Sequence, residues 1–435
     1  MGPAAPTCGG VGDCVGKDGM MDARSEMLDL IRHRKQGYSL PQPFYVDQQF
    51  FDLDLELIWY RDWLFAGHDC ELTKPGSYFT LQVGAYPIVV VRDRDGTLRA
   101  FHNSCRHRGS RVCKAERGVA PKLVCPYHQW TYNLDGSLAF ARQMGEGFDR
   151  TQHGLKPVAC ESVAGYIFIC LADRPPAFAP FGDLMRPYFA PHNLADAKIA
   201  FQSTIVEKGN WKLVWENNRE CYHCAGSHPE LCKTYSESPN VTGVAGGEED
   251  PEMAEHWARC EAAGLPAQFR MHDSGQFRAI RAPLLREAES YTMTGKRAVA
   301  RGLSESVTAD RIGALMLFNY PTTWNHVLVD HAVTFRVMPI GPNETAVTTK
   351  WLVHKDAVEG VDYDLDTLTH VWTQTNDQDR RIVEENAVGI RSPAYEPGPY
   401  SPLHEGGVIQ FVDWYTRAIE ARLDDTGQDR VRRVA

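Results

Sequence analysis

Long apolar runs are missing from this sequence. The longest, such as Gly165-Tyr-Ile-Phe-Ile-Cys-Leu-Ala172, fall far short of the roughly 20 residues that span a bilayer, so a membrane protein is not expected. The first 25 residues hold no apolar core of the secretory kind, which predicts a cytoplasmic protein. Basic charge is not in excess either. Forty-six Lys and Arg face 56 Asp and Glu, for a net charge of -10, and this disfavours a nucleic-acid partner. No Gly-x-Gly-x-x-Gly opens a strand–helix unit and no phosphate-binding P-loop occurs, so nicotinamide and flavin belong on some other protein. Internal repeats are lacking as well.

What is present is ordinary globular material, 43% hydrophobic and 23% charged over 435 residues, enough for two or three domains of about 150 residues. Residues 1–22, rich in Gly, Ala and Pro, have no apolar period and are expected to be disordered. Met27, Leu28, Leu30 and Ile31 predict a helix over 24–33, and a second is expected over 53–65. From Tyr78 the pattern alternates, Pro87-Ile-Val-Val-Val reads as a buried strand, and Asp95-Gly96 and Asp135-Gly136 read as hairpin turns. An all-β domain is therefore expected over 66–175. A Pro-rich linker follows up to Pro191, and then a domain of helices and strands over 190–435. In that domain, strands at Thr334–Met338 and Thr345–Val353 flank a turn at Gly341-Pro-Asn, and a long helix is expected over 362–387. Residues 236–255, acidic and Gly-containing, read as a surface loop, with a lid as the alternative.

Twelve cysteines in a chain of this length do not suggest a disulfide scaffold. Cys70, Cys113, Cys160, Cys170, Cys232 and Cys260 stand alone and are expected to be buried and inert, and Cys8 and Cys14 to be a chance pair. Cys105, Cys125, Cys221 and Cys224 lie beside histidines. Cys105-Arg-His107 is followed after 17 residues by Cys125-Pro-Tyr-His128. Two Cys and two His also suit zinc, but here each loop supplies one thiolate and one imidazole. That division suits a [2Fe–2S] cluster with both Cys on one iron and both His on the other. Nearby His102 reads as a structural loop residue.

The second group is Glu220-Cys-Tyr-His223-Cys-Ala-Gly-Ser-His228-Pro229. Five residues on a regular helix turn about 140°, so His223 and His228 share a metal only if the helix ends between them, as Pro229 favours. Two imidazoles and one carboxylate make a facial triad for non-heme iron. Asp379 is the preferred third ligand. It is the one charge on a helix face otherwise made of Leu368, Trp372, Thr375, Ile382 and Asn386, where a lone carboxylate is costly. Asp377 lies on a polar face. Glu220, one helical turn before His223, reads as a surface acid, an orienting group or a coupling group. Cys221 and Cys224 are expected to pack around the helix.

With both groups in this order, the chain resembles the oxygenase component of Rieske non-heme iron oxygenases, from about Tyr38 to Tyr415. Glu216-Asn-Asn-Arg-Glu-Cys-Tyr-His-Cys, Asn376-Asp-Gln-Asp-Arg-Arg and Val353-His-Lys-Asp-Ala-Val-Glu-Gly are very similar to the glycine betaine monooxygenases of the quaternary-ammonium branch. The resemblance implies an α+β chain. In it an all-β Rieske domain precedes a helix-grip, START-like catalytic domain with an antiparallel sheet and a long C-terminal helix, and the helices of 23–65 pack on the catalytic domain. It also implies a homotrimer in which Glu220 bridges the cluster of one subunit and the iron of the next. A ferredoxin-type reductase carrying flavin and using NAD(P)H would supply electrons, and O2 would be the cosubstrate. The implied reaction hydroxylates an N-methyl group of glycine betaine, and the product collapses to dimethylglycine and formaldehyde. Choline, carnitine, proline betaine, ring dihydroxylation and simple electron transfer are the competing readings. Tyr320 and Trp324 are candidate faces for the ammonium, and Asn325 and His326 candidate donors to a carboxylate.

Overall fold

A computed structural model describes residues 15–235, 251–307 and 309–424. Its first helix, α1 (Val15–His33), begins well before residue 24, inside the stretch expected to be disordered; residues 1–14 lie outside the described residues. Ala23, Met27 and Ile31, four apart, bury one stripe of it. α2 (Pro43–Val46) starts on proline, and α3 (Gln48–Asp54) is capped by the Asp47 carboxylate, which accepts from Gln49 N at 2.7 Å and Phe50 N at 3.1 Å. A π-helical turn, Leu55–Trp59, follows. The helix expected over 53–65 then ends, because Leu64–His68 is already strand β1, buried along its whole length.

Nine more strands complete the first unit: β2 (Ser77–Val83), β3 (Tyr86–Arg92), β4 (Leu98–His102), β5 (Arg117–Val119), β6 (Leu123–Val124), β7 (Thr131–Tyr132), β8 (Leu138–Phe140), β9 (Pro157–Val163) and β10 (Tyr166–Cys170). Seven form one sheet in the order β1-β10-β9-β4-β3-β2-β5, and β6-β7-β8 form a small second sheet. The apolar run in β3 has a simple cause. Ile88 and Val90 enter one core, while Val89 and Val91, on the other face, enter the core that backs the cysteine loops. At the Asp135-Gly136 turn, Gly136 sits at φ +87°, and a Cβ there would lie 2.3 Å from the Phe101 ring.

The stretch expected to be a linker contains α4 (Ala179–Phe189). Pro180 is harmless in a first turn, and Phe181, Met185, Tyr188 and Phe189 are buried, with Phe181 edge-on to Phe277 at 5.0 Å. The second unit is built on a seven-stranded antiparallel sheet. Its strands are β11 (Ala197–Glu207), β12 (Arg270–Met271), β13 (Phe277–Ala282), β14 (Ala314–Asn319), β15 (Thr323–Val327), β16 (Ala332–Gly341) and β17 (Glu344–His354), ordered β11-β17-β16-β15-β14-β13-β12. With them are α5 (Trp211–Asn218), α6 (Cys224–Ser227), α7 (Pro251–Ala262), α8 (Leu365–Ile390) and α9 (Gly406–Asp424). Of the segment read as a loop, 236–250 lies outside the described residues, whereas 251–255 opens α7.

The long α8 packs against β11 and α5, and Asn376 on it donates to Thr349 of β17 at 2.9 Å. Two buried ion pairs join the parts. Glu71, next to β1, meets Lys350 of β17 at 2.5 Å and Arg117 at 3.2 Å. Asp54 pairs with Lys212 of α5, each fully buried, and also accepts from Trp211 Nε1 at 3.0 Å and from Tyr415 of α9 at 2.5 Å.

Candidate active site

The two cysteine loops are built alike. Cys105 leads into a turn closed by Gly109 N donating to Cys105 O at 2.9 Å, and Cys125 into one closed by Gln129 N donating to Cys125 O at 3.0 Å. Each closing residue has positive φ, +76° at Gly109 and +60° at Gln129. Asn103 anchors the first loop, accepting from Val112 N and Cys113 N and donating to Cys113 O. The result is asymmetric. Both thiols are buried and within hydrogen-bond reach of each other, while His107 and His128 are exposed with ring centres 4.7 Å apart. His107 stacks on Trp130 at 5.0 Å, His128 stacks on Tyr127, and Tyr132 Oη sits 3.2 Å from Cys105 Sγ. Soft sulfur on the inside and imidazole on the outside fit the donor set of a Cys2His2 iron–sulfur cluster. His102 lies apart, packed on Tyr86.

The second centre draws on distant segments. α5 starts at Asn210, whose side chain accepts from Lys212 N. It ends at Asn218, so Glu220 and His223 stand in the following turn and not on a shared helix face. His223 precedes the single turn of α6 and His228 ends it. This brings the His223 and His228 Nε2 atoms within 3.0 Å of each other, and Asp379 Oδ1, from the middle of α8, lies 3.4 and 3.0 Å from them. Ligands about 2.1 Å from one ion at right angles lie about 3.0 Å apart. Asp379 Oδ1 is buried and faces both nitrogens. Each imidazole is oriented from behind: His223 Nδ1 meets Glu220 Oε1 at 2.5 Å, and His228 Nδ1 meets Gln378 Oε1 at 2.8 Å. With a metal ion bound, donation from each Nδ1 would leave both Nε2 lone pairs to the ion. Gln378 in turn donates to Glu230 at 2.8 Å.

The electrostatics favour a cation at this point. Burial opposes charge on His223, but Asp379 and Glu220 outweigh it and push its pKa up to about 10. Burial likewise opposes charge on Asp379, and the two histidines overcome it. Behind Asp379, burial and the nearby Asp379 and Glu384 carboxylates push Glu207 up to about 8, so near neutrality Glu207 adds no second negative charge. Asp377 is elsewhere, paired with Arg380 and Arg381 at the surface. Cys221 and Cys224 do not simply pack: they form a disulfide that brackets His223, Cα to Cα 4.9 Å. A three-residue spacing allows this when the chain turns instead of running on as helix.

A cavity opens on the triad, with Tyr235, Met316, Phe318, Trp324, His326 and Trp372 among its walls. Pairing registers explain the set. Arg278, Phe318 and Trp324 lie opposite one another across β13, β14 and β15, and Met316 faces His326 in the next row. Trp324 and His326, candidates for the ammonium face and the carboxylate donor, line this cavity. Tyr320 does not, being fully buried among Trp215, Phe411 and Trp414. Asn325 also lines the cavity, with its amide donating to Thr323 at 3.1 Å. Gln378, Arg278 and Tyr235 were missed. Gln378 adjoins Asp379 in sequence, a usable signal, whereas the other two are linked to the site only by sheet pairing and folding.

Two family models match: the Rieske [2Fe-2S] domain over residues 62–159, and the ring hydroxylating alpha subunit (catalytic domain) over 194–421. The chain belongs to the Rieske-type ring-hydroxylating oxygenases, oxidoreductases that carry a [2Fe–2S] cluster and a mononuclear non-heme iron. Within that family it is 48% identical over 425 residues to the glycine betaine monooxygenase oxygenase subunit of Pseudomonas aeruginosa (strain UCBPP-PA14), covering 96% of this chain and 97% of that one. It is 48% identical over 413 residues to the protein of the same name from Chromohalobacter salexigens, covering 94% and 92%. The fold is that of a quaternary ammonium Rieske monooxygenase solved with L-carnitine, at TM-score 0.67 and 22% identity, covering 90% of this chain and 98% of that one. Among the described residues no helix is long and apolar enough to cross a membrane.

Proposed function

We propose that this chain is the oxygenase component that N-demethylates glycine betaine to dimethylglycine and formaldehyde. The observation that carries the reading is a cavity walled by Trp324, Trp372, Phe318 and Tyr235 that opens directly on the His223, His228 and Asp379 triad. Aromatic faces attract a trimethylammonium group, which offers no hydrogen-bond donor. Cys105, His107, Cys125 and His128 hold the cluster, and His223, His228 and Asp379 hold the iron. When bound, these groups supply one-electron transfer and the activation of O2 toward an N-methyl C–H bond. Glu220 and Gln378 fix the two imidazole rings. The indole and phenyl walls keep water from the reacting methyl group and hold the cation over the triad. Burial lowers the His326 pKa to about 3, so this ring stays neutral and does not repel the ammonium.

The chain works as a cytoplasmic homotrimer fed by a ferredoxin-type reductase that holds flavin and oxidises NAD(P)H. In such a trimer the exposed His107 and His128 of one subunit would face Glu220 of the next, which passes the electron to His223 of its own chain. The test is formaldehyde release from a panel of glycine betaine, choline, carnitine and proline betaine, with reductase and NAD(P)H. Glycine betaine should give the highest kcat/KM, and no formaldehyde from any quaternary amine would refute the reading.

A further inference from the structure

One wall of the cavity carries a ring nitrogen that metal binding does not use. His326 on β15 is 6% exposed and lines the cavity. Its Nδ1 lies 3.3 Å from the hydroxyl of Tyr291, which stands behind the wall and is 1% exposed. Among the described residues the Tyr291 hydroxyl has no other partner. A buried O–H left without an acceptor is costly, so the hydroxyl donates to Nδ1. The ring proton of neutral His326 then sits on Nε2, from which nothing among the described residues accepts. Tyr291 is itself held in place. It meets the Trp372 ring edge-on at 5.6 Å, and the hydroxyl of its neighbour Ser290 donates to the buried Asp330 carboxylate at 2.9 Å. The His326 ring rests on Trp372 at 4.7 Å and meets Phe335 edge-on at 6.1 Å. With Nδ1 turned back to Tyr291, Nε2 is the nitrogen left to the cavity.

Resting on the demethylase reading, we infer that the Nε2–H of His326 is the donor that recognises the substrate's carboxylate, with Tyr291 as the positioning residue that fixes its tautomer, so that the pocket selects small zwitterions over plain quaternary amines. Trp324 is two residues from His326 on the same face of β15, about 7 Å away between backbones. A π face and an N–H donor therefore stand side by side on one strand. The other candidate donor of this strand, Asn325, directs its amide to Thr323. Burial keeps the His326 ring uncharged near neutrality. A neutral donor serves a carboxylate without repelling the ammonium beside it, which a cationic donor would do.

The test uses calorimetric binding to the full, metal-loaded chain under anaerobic conditions with three probes. Glycine betaine carries both groups, ethyltrimethylammonium has a methyl group in place of the carboxylate, and 3,3-dimethylbutanoate keeps the carboxylate but replaces nitrogen with carbon. His326→Phe keeps an aromatic ring and removes both nitrogens. In it the dissociation constants of the two carboxylates should rise about tenfold to a hundredfold relative to that of ethyltrimethylammonium. His326→Gln, whose amide offers a donor at the place of Nε2, should recover part of that ratio. Tyr291→Phe releases the tautomer and should lower the ratio about two- to tenfold. A ratio unchanged in His326→Phe overturns the donor; should that variant not fold, a ratio unchanged in Tyr291→Phe does so. Formaldehyde release by the unsubstituted chain is read separately. Its absence, with the binding pattern intact, would remove the demethylase reading and leave the carboxylate donor standing.

Discussion

The two metal-binding regions of this chain are made in opposite ways. The cluster loops are local: each is a tight turn closed by its own backbone, with thiols inside and imidazoles exposed. The triad is assembled from afar. His223 and His228 flank a single helical turn, and Asp379 comes from the middle of α8, some 150 residues later. The first region depends on turn geometry and the second on how α8 packs against β11 and α5. A fault anywhere in that packing reaches the triad, whereas the cluster is insulated from it.

Asp379→Ala should separate the regions most sharply. We expect turnover to be abolished and roughly one of three bound irons to be lost while the visible spectrum of the cluster persists. Iron analysis beside an absorption spectrum checks this, and retained turnover would end the assignment of Asp379. Glu71→Gln tests whether the regions unfold together. Breaking a buried pair costs about 3–5 kcal/mol, so denaturant unfolding should shift as one transition, while two separate transitions would show independent units. The same pair sets an acid limit. Lys350 and neighbouring cations overcome the cost of burial and hold Glu71 at about 2, below its usual 4.5. Its contribution is therefore complete above about pH 4.5 and fades as pH falls toward 2; a pH series of melting curves should show this loss, and the Gln variant should lack it. Gln378→Leu leaves His228 free to rotate, and iron affinity should fall about 10- to 100-fold with the cluster unchanged, as read by iron titration. Smallest is Trp324→Leu, expected to raise KM for the quaternary amine about 2- to 30-fold, measured by steady-state formaldehyde release.

The same contrast explains what could be read in advance. The spacing of Cys105, His107, Cys125 and His128 carries its own geometry, since the hydrogen bonds that close each turn are short-range. Asp379 was readable because a carboxylate on an otherwise apolar stripe needs a partner. Glu220 was placed on a helix that stops two residues earlier, because nothing between Asn218 and His223 breaks helical periodicity in the sequence. The strand at Leu64–His68 and the helix at Ala179–Phe189 were misread for related reasons. A strand covered on both faces has no alternation, and proline in a first turn looks like a linker. Arg278 could not be found by motif, since its link to Trp324 exists only as register across three strands.

The two cluster loops differ in what their matching turns cost. Gly109 takes its positive φ freely, but Gln129 holds the same left-handed turn at a cost of about 1–2 kcal/mol. That strain is carried by the fold itself, through Cys125 N donating to Trp130 O at 2.8 Å and Trp130 stacked on His107. Of two turns with the same shape, one therefore suits its residue, while the other is held against its residue's preference by the contacts around it.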